Sequence, residues 1–310
     1  MRTLSKAGLA AVLSAAIAAS AAAQTRITLG YTAVTDFASA FVAKEEGFFH
    51  KRGLDVTLQL IALNSTIPAA LQADSLQIGG PTVSVLLQAI EGGLDQVVVA
   101  GGSVTSKSTA KAVAVVQRAG AGIAKPADLV GRKVGVPGIG AFLQVLFREW
   151  LTQQRVDWKK VTFVEVAFPT MSDALKGGSV DAVVTADPIL SRIAAAGTGS
   201  VVSYFLEEVE EGKPTIVYAA SRAWAEKNPA AIKAFQEAID EGAKLVKAND
   251  AKTREDMAKY IRLPPEILKD VLISVPDPVV TEAQLGWWVG LMKKQEMLKV
   301  APKVAGLIAQ

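Results

Sequence analysis

The chain contains no cysteine. That excludes disulfides, thiolate metal centres and a cysteine nucleophile, and it also excludes a lipid anchor on a cysteine at a processing point. Histidine is nearly absent as well. The one present, His50, lies in KEEGFFHKRGLDV, a charged helix end where a solvated cationic residue is ordinary. A histidine-rich metal site therefore has no members, and a Ser-His-Asp set has a single candidate base. Net charge is small, +3 over 310 residues, with acidic and basic side chains interspersed. Such a balance offers no footprint for nucleic acid or a membrane surface, so recognition of an anion has to be local. Beyond the N-terminus, no apolar run approaches the roughly 20 residues that a spanning helix needs.

What is present begins with MRTLSKAGLAAVLSAAIAASAAAQ. Arg2 and Lys6 form a basic start, an alanine-rich apolar run follows, and Ala21-Ala22-Ala23 suits an A-x-A cleavage site. The pattern predicts a secretory signal peptide over residues 1–23 and a mature protein in an exported compartment. About 290 remaining residues suffice for a large core without disulfides, in one large or two medium domains.

Short apolar runs then alternate with helical patterns. ITLGY (27–31), DVTLQLI (55–61), LQIGG (76–80), QVVVAG (96–101), AVAVV (112–116), KVGVP (133–137), VTFVEV (161–166), VDAVVT (180–185), VVSYF (201–205) and TIVYAA (215–220) read as strands. Residues 37–49, 67–73, 83–91, 141–153, 171–176 and 189–196 read as helices between them. This alternation predicts parallel sheets covered by helices, with ligands at the carboxyl ends of the strands. After Ser221 the pattern turns helical throughout, including PPEILKDVLISV. Two crossings divide the chain into lobes: residues 24–117 plus 214–310, and residues 118–213.

VGVPGIGAFLQVLF reads as strand, tight turn and helix, with Gly138 and Gly140 at the helix mouth. A dinucleotide fingerprint wants a third glycine where Leu143 stands, and a P-loop wants G-K-[S/T]. An anion on the main-chain N–H groups of Gly138, Ile139, Gly140 and Ala141 is the favoured reading, with a purely structural turn beside it. A bulkier residue at Gly140 is then expected to weaken binding while leaving stability largely intact. Similar turns follow the early strands, at Thr35, Asp36 and Phe37, at Asn64, Ser65 and Thr66, and at Gly80, Pro81 and Thr82. Each alone is an ordinary helix cap. Together they line one end of a sheet with small polar groups, a cleft for a small polar ligand. Thr185 and Asp187 end another strand, where Asp187 either accepts from a ligand or caps a helix. Trp287 and Trp288 read as packing residues, and the acidic run EEVEE (207–211) reads as a solvated face.

Taken in order, AKEEGFFHKRGLDVTL (43–58), LQIGG–P (76–81), ADLVGRKVGVPGIGAFLQVL (127–146), DALKGGSVDAVVTADP (173–188) and NPAAIKAFQEAI (228–239) resemble the periplasmic solute-binding proteins of ABC importers. Within them the chain is similar to the NMT1/THI5-like set, which includes nitrate-, taurine- and alkanesulfonate-binding proteins. The resemblance implies a two-lobed α/β fold of type II-like periplasmic-binding-protein form, each lobe a mainly parallel sheet flanked by helices, with a helical C-terminal portion. It implies a monomer without cofactor or catalysis that closes on a small organic anion and docks on an inner-membrane ABC permease. The turns named above, with Thr185 and Asp187, are the implied ligand contacts. Val183, Val184 and Ala186 stand where amine-reading members carry bulky aromatics. That argues against a cation–π cage and against taurine, and for a compact or apolar-bodied carboxylate or sulfonate. Two other functions keep the same fold: a pyrimidine-synthesising enzyme, and a ligand sensor for a membrane receptor.

Overall fold

A computed structural model describes residues 24–261 and 264–309. The predicted leader, residues 1–23, lies outside them. The chain runs β1 (Thr25–Tyr31), α1 (Ala38–Glu45), α2 (Phe48–Lys51), β2 (Leu54–Leu60), α3 (Ile67–Gln72), β3 (Ile78–Gly79), α4 (Val83–Glu91) and β4 (Gln96–Val104). It continues through β5 (Val113–Arg118), β6 (Lys133–Val136), α5 (Phe142–Gln153), β7 (Thr162–Glu165), α6 (Met171–Lys176), β8 (Ala182–Ala186), α7 (Ile189–Ala195) and β9 (Gly199–Ser203). The last portion comprises β10 (Pro214–Ser221), α8 (Arg222–Lys227), α9 (Pro229–Ala248), α10 (Asp250–Ile261), α11 (Pro265–Leu268), β11 (Val275–Pro276) and α12 (Glu282–Lys294).

The strands form two sheets, ordered β11-β4-β10-β3-β1-β2 and β7-β6-β8-β5-β9. Pairing is parallel for β1 with β2 and β3, and for β6 with β7 and β8; β10 and β5 lie antiparallel to their neighbours. The sheets are therefore mixed. β11 also runs antiparallel to β4, so the first sheet holds two reversed strands, β10 and β11, and the second holds β5. The inner strands β4 and β8 are buried along nearly their whole length, which is why QVVVAGGSV and AVVTA show no polar alternation.

All ten runs read as strands in the sequence overlap strands in the fold. Three sequence expectations change. β5, placed in the first lobe by the 117/118 boundary, pairs with β8 and β9, so the chain changes sheet at 105–112. The glycine-rich stretch after it is a turn. PPEILKDVLISV is helical only over Pro265–Leu268, and the chain then extends into β11 beside β4. A pair of adjacent prolines starts a helix but does not sustain one. The acidic run EEVEE is no mere solvated face. It flanks the return passage, and the two passages are zipped together by Thr105. Its N–H donates to the Lys213 carbonyl (2.9 Å), its hydroxyl to the Glu210 carbonyl (2.7 Å), and Glu211 accepts from the Lys107 N–H (2.6 Å).

Candidate functional site

A cleft enclosing about 730 Å³, its solvent mouth included, lies where the carboxyl ends of the two sheets face each other. Thr32, Thr35, Asp36, Asn64, Thr82, Thr105, Ser106, Thr109, Thr215 and Ser274 give it a polar wall. Val34, Val104, Val113, Pro137, Ala141, Phe142, Leu143, Phe168, Leu206 and Ile216 give it an apolar one, and Ala112, Ala186 and Asp187 complete the lining.

The turn after β1 owes its shape to Phe37. This ring is fully buried against Tyr31, Phe41 and Tyr218, with centroids 6.1, 6.3 and 6.1 Å away. Its edge fills the space where a Cβ on residue 80 would stand, so only glycine fits there. Anchoring Phe37 inward turns its neighbours outward. Thr35 shares a hydrogen bond with the Ser274 hydroxyl (2.8 Å) and accepts from the Ser274 N–H (3.1 Å). Asp36 Oδ1 accepts from the hydroxyls of Ser103 and Thr215, each at 2.6 Å. Asn64 is fixed in the second turn by donating to the Gly80 carbonyl (3.0 Å) and accepting from the Thr82 N–H (2.9 Å).

Of the fifteen expected site residues, the cleft brings together Thr35, Asp36, Asn64, Thr82, Ala141 and Asp187. Phe37, Gly80 and Pro81 lie behind the wall, where Pro81 accepts from the Val217 N–H (3.1 Å). Thr66 bonds its own turn at the Leu63 carbonyl (2.8 Å). Thr185 is fully buried within its sheet, with a hydroxyl that has no hydrogen-bond partner among the described residues. Asp187 is buried, and its Oδ1 accepts from the Ser191 N–H (3.1 Å) and hydroxyl (2.7 Å), the capping alternative, while Oδ2 accepts from Leu272 N–H (3.2 Å). Burial pushes its carboxyl above the usual range, and those hydrogen bonds pull it partly back.

The glycine turn differs most from expectation. Three of its four expected main-chain donors are taken by protein acceptors, Ile139 N–H by Glu165 Oε1 (3.0 Å), Gly140 N–H by Gln144 Oε1 (2.6 Å) and Ala141 N–H by the Gly138 carbonyl (3.1 Å), as is Phe142 N–H by the Thr82 hydroxyl (3.3 Å), while Gly138 N–H meets no protein acceptor among the described residues. Among the described residues, the donors of the first turn of α5 left without a protein acceptor are those of Leu143 and Gln144. Residues 138–140 are absent from the cleft lining, which takes Pro137 and Ala141 on either side of them. Ser65 of the first sheet's side donates to Glu165 Oε1 (2.9 Å), which also holds Ile139, and Thr82 reaches across to Phe142. Together these bonds hold the two sides closed.

Gly140 accordingly acts through its backbone. Its φ is +76°, a conformation that costs an L-residue about 1–2 kcal/mol. An added Cβ meets only the movable end of the Gln88 side chain. Gly140→Ala is expected to lower stability by about 1–2 kcal/mol while changing solute affinity by less than threefold. Denaturant titration beside calorimetry checks this, and a large affinity loss at unchanged stability would restore the direct-contact reading.

Ser103, Thr215, Ser274 and Phe142 were not singled out in the sequence. A signal for the first group was present in the hydroxyl-rich SVTSKST, where β4 leaves its sheet. Ser274 had none, because it arrives from a segment 239 residues beyond its partner Thr35.

The NMT1/THI5 like family model matches residues 34–253. The nitrate import ATP-binding protein NrtC of Synechocystis sp. is 26% identical over 260 residues, covering 77% of this chain. The chain spans only 37% of that relative's length. Among solved structures, the alkanesulfonate-binding protein SsuA of Xanthomonas axonopodis pv. citri, bound to MOPS, superposes with a TM-score of 0.74 at 19% identity, covering 92% of this chain and 96% of that one. The periplasmic nitrate-binding protein NrtA of Synechocystis gives 0.76 at 16% identity, covering 91% and 84%. At such identities these likenesses establish the shared two-sheet fold. The family match takes in every cleft residue from Val34 to Ile216 and leaves outside it Thr32 and the C-terminal segment that supplies Ser274. By that match, over more than two thirds of its length, the chain belongs to the NMT1/THI5-like family.

Proposed function

We propose that this chain is the solute-binding component of an ABC importer, which captures one small solute between its two sheets and delivers it to a membrane permease from the periplasmic side. The observation that carries this reading is the closed cleft itself. It joins a hydroxyl-lined wall to an apolar wall and is shut by bonds between two halves through which the chain passes by two adjoining passages. A solute touching both walls stabilises the closed form over the open one, and a permease reads that difference as a shape.

The lining supports binding rather than reaction. Among the described residues no histidine or lysine lines it to take a proton from a hydroxyl; the Ser106 hydroxyl donates to Glu211 (3.1 Å) in the return passage, and the carboxylates of Asp36 and Asp187 are engaged by hydrogen bonds. The small organic anion expected from the sequence, a sulfonate or carboxylate, would set its body on Phe142, Leu143, Phe168 and Ile216. Its head would meet the hydroxyls and the free N–H groups at the start of α5.

The test is native mass spectrometry of freshly purified protein, followed by thermal unfolding with candidate solutes. A cognate solute at a hundred times its dissociation constant is expected to stabilise the fold by about 2.7 kcal/mol and to be recovered chemically unchanged. Conversion of the solute to a product would overturn the reading in favour of an enzyme.

A further inference from the structure

Among the described residues, no Lys, Arg or His side chain lines the cleft, and the two charged residues that do are both carboxylates. They are not equivalent. Asp187 has both oxygens occupied, by Ser191 and by the Leu272 N–H. Asp36 is held by one oxygen only. The hydroxyls of Ser103 and Thr215 both lie 2.6 Å from Oδ1; they also touch each other, and Thr215 reaches the Ser103 carbonyl (3.2 Å), so their two protons are shared within this cluster. Thr215 is on β10 and Ser103 on the adjoining β4, so the carboxylate is pinned from beneath by the sheet. Its Oδ2 meets no protein donor among the described residues, and the side chain is half-buried, so this oxygen opens toward the cleft.

An ionised carboxylate oxygen only accepts. In a partly desolvated cleft it repels a second anion and favours a charged or polar N–H. Resting on the solute-binding reading above, the geometry points to a solute that brings its own donor, an ammonium or amide N–H directed at Asp36 Oδ2. A bare inorganic anion or an unsubstituted alkanesulfonate is then not the cognate solute, although an anionic head on the same molecule remains compatible with the first turn of α5. The aromatic residues missing beside Thr185 do not bear on this, because the acceptor comes from the opposite side of the cleft. The donor is read by a carboxylate and not by an aromatic cage.

Matched pairs test the proposal directly: alkanesulfonates and alkanoates of two to five carbons against the same molecules with a terminal amine, measured by calorimetry on the unaltered chain and on Asp36→Asn. In that variant Oδ1 still accepts from Ser103 and Thr215, and the free acceptor becomes a donor. The expected result is that the amine-bearing member binds the unaltered chain at least tenfold more tightly, with the preference lost or inverted in Asp36→Asn. Any solute that leaves with the freshly purified protein is expected to contain an N–H donor, and its occupancy to fall at least tenfold in the variant. Equal or tighter binding of the unsubstituted anions overturns the proposal while leaving the solute-binding function standing, as does a co-purified solute without a donor. The same holds for an amine preference that survives Asp36→Asn. If no pair binds and the purified protein carries no solute, the binding reading falls, and this inference falls with it. The comparison on the unaltered chain does not depend on the variant folding.

Discussion

Replacing Phe37 by alanine is expected to cost about 3–5 kcal/mol of stability, the usual loss when a fully buried phenylalanine is truncated. In a chain of this size that corresponds to a fall in Tm of about 6–10 °C. The ring is completely buried, has three aromatic neighbours and occupies the space beside Gly80. Packing this close leaves the neighbours little freedom to collapse into the void. A second consequence follows from position. Phe37 ends the turn Thr35–Phe37, so its anchorage sets the direction in which Asp36 and Thr35 project. The alanine variant is therefore expected to bind solute more weakly even at temperatures where it stays folded. Phe37→Leu, which keeps most of the volume, is expected to lose less than half as much stability. Thermal unfolding followed by calorimetry tests both parts. A Tm within about 2 °C of the parent would refute the anchoring role, since it would imply a loss of under about 1 kcal/mol.

Trp288→Ala is the other large effect, again about 3–5 kcal/mol. Trp288 is fully buried on α12, donates its indole N–H to the Pro214 carbonyl (2.9 Å) and packs on Phe142 with centroids 5.9 Å apart. Pro214 begins β10 of the first sheet, whereas Phe142 begins α5 beside the second. One side chain thus ties the C-terminal helix to both halves. The rest of the segment does likewise. Gln284 donates to the Gly212 carbonyl (2.9 Å), Gln295 to the Val145 carbonyl (2.9 Å), and Arg148 to the Gln295 carbonyl (3.1 Å). Arg148 is also stacked on Trp158, and burial holds its guanidinium down to about 10. Because Phe142 lines the cleft, removing its support is expected to reduce solute affinity along with stability. Trp288→Phe separates the two contributions: it keeps the apolar contact and loses one hydrogen bond, a cost of about 1 kcal/mol. A denaturation midpoint unchanged in Trp288→Ala would show that α12 is an appendage and not a brace.

Local pattern carried much of this protein's design. Apolar runs such as ITLGY and VDAVVT become strands because their burial follows from their own composition, and VSVLLQAI becomes a helix for the same reason. Small polar groups follow the strands at one end of the sheets, and Thr35, Asp36, Asn64 and Thr82 are among the residues that line the cleft. The order of motifs also identified the family. Partnership is what the pattern could not carry. The glycine turn at 138–140 looked like a set of open donors, since its acceptors come from elsewhere: Glu165 from 26 residues on, Thr82 from 60 residues back, and Gln144 from one turn further along the helix. The sheet to which β5 belongs, the seating of Ser274 against Thr35, and the inward ring of Phe37 are likewise contacts between distant parts of the chain. Periodicity reports which face of a residue is buried. Only the folded chain decides which donor already has an acceptor, and therefore which polar atom, here Asp36 Oδ2, is left for a solute.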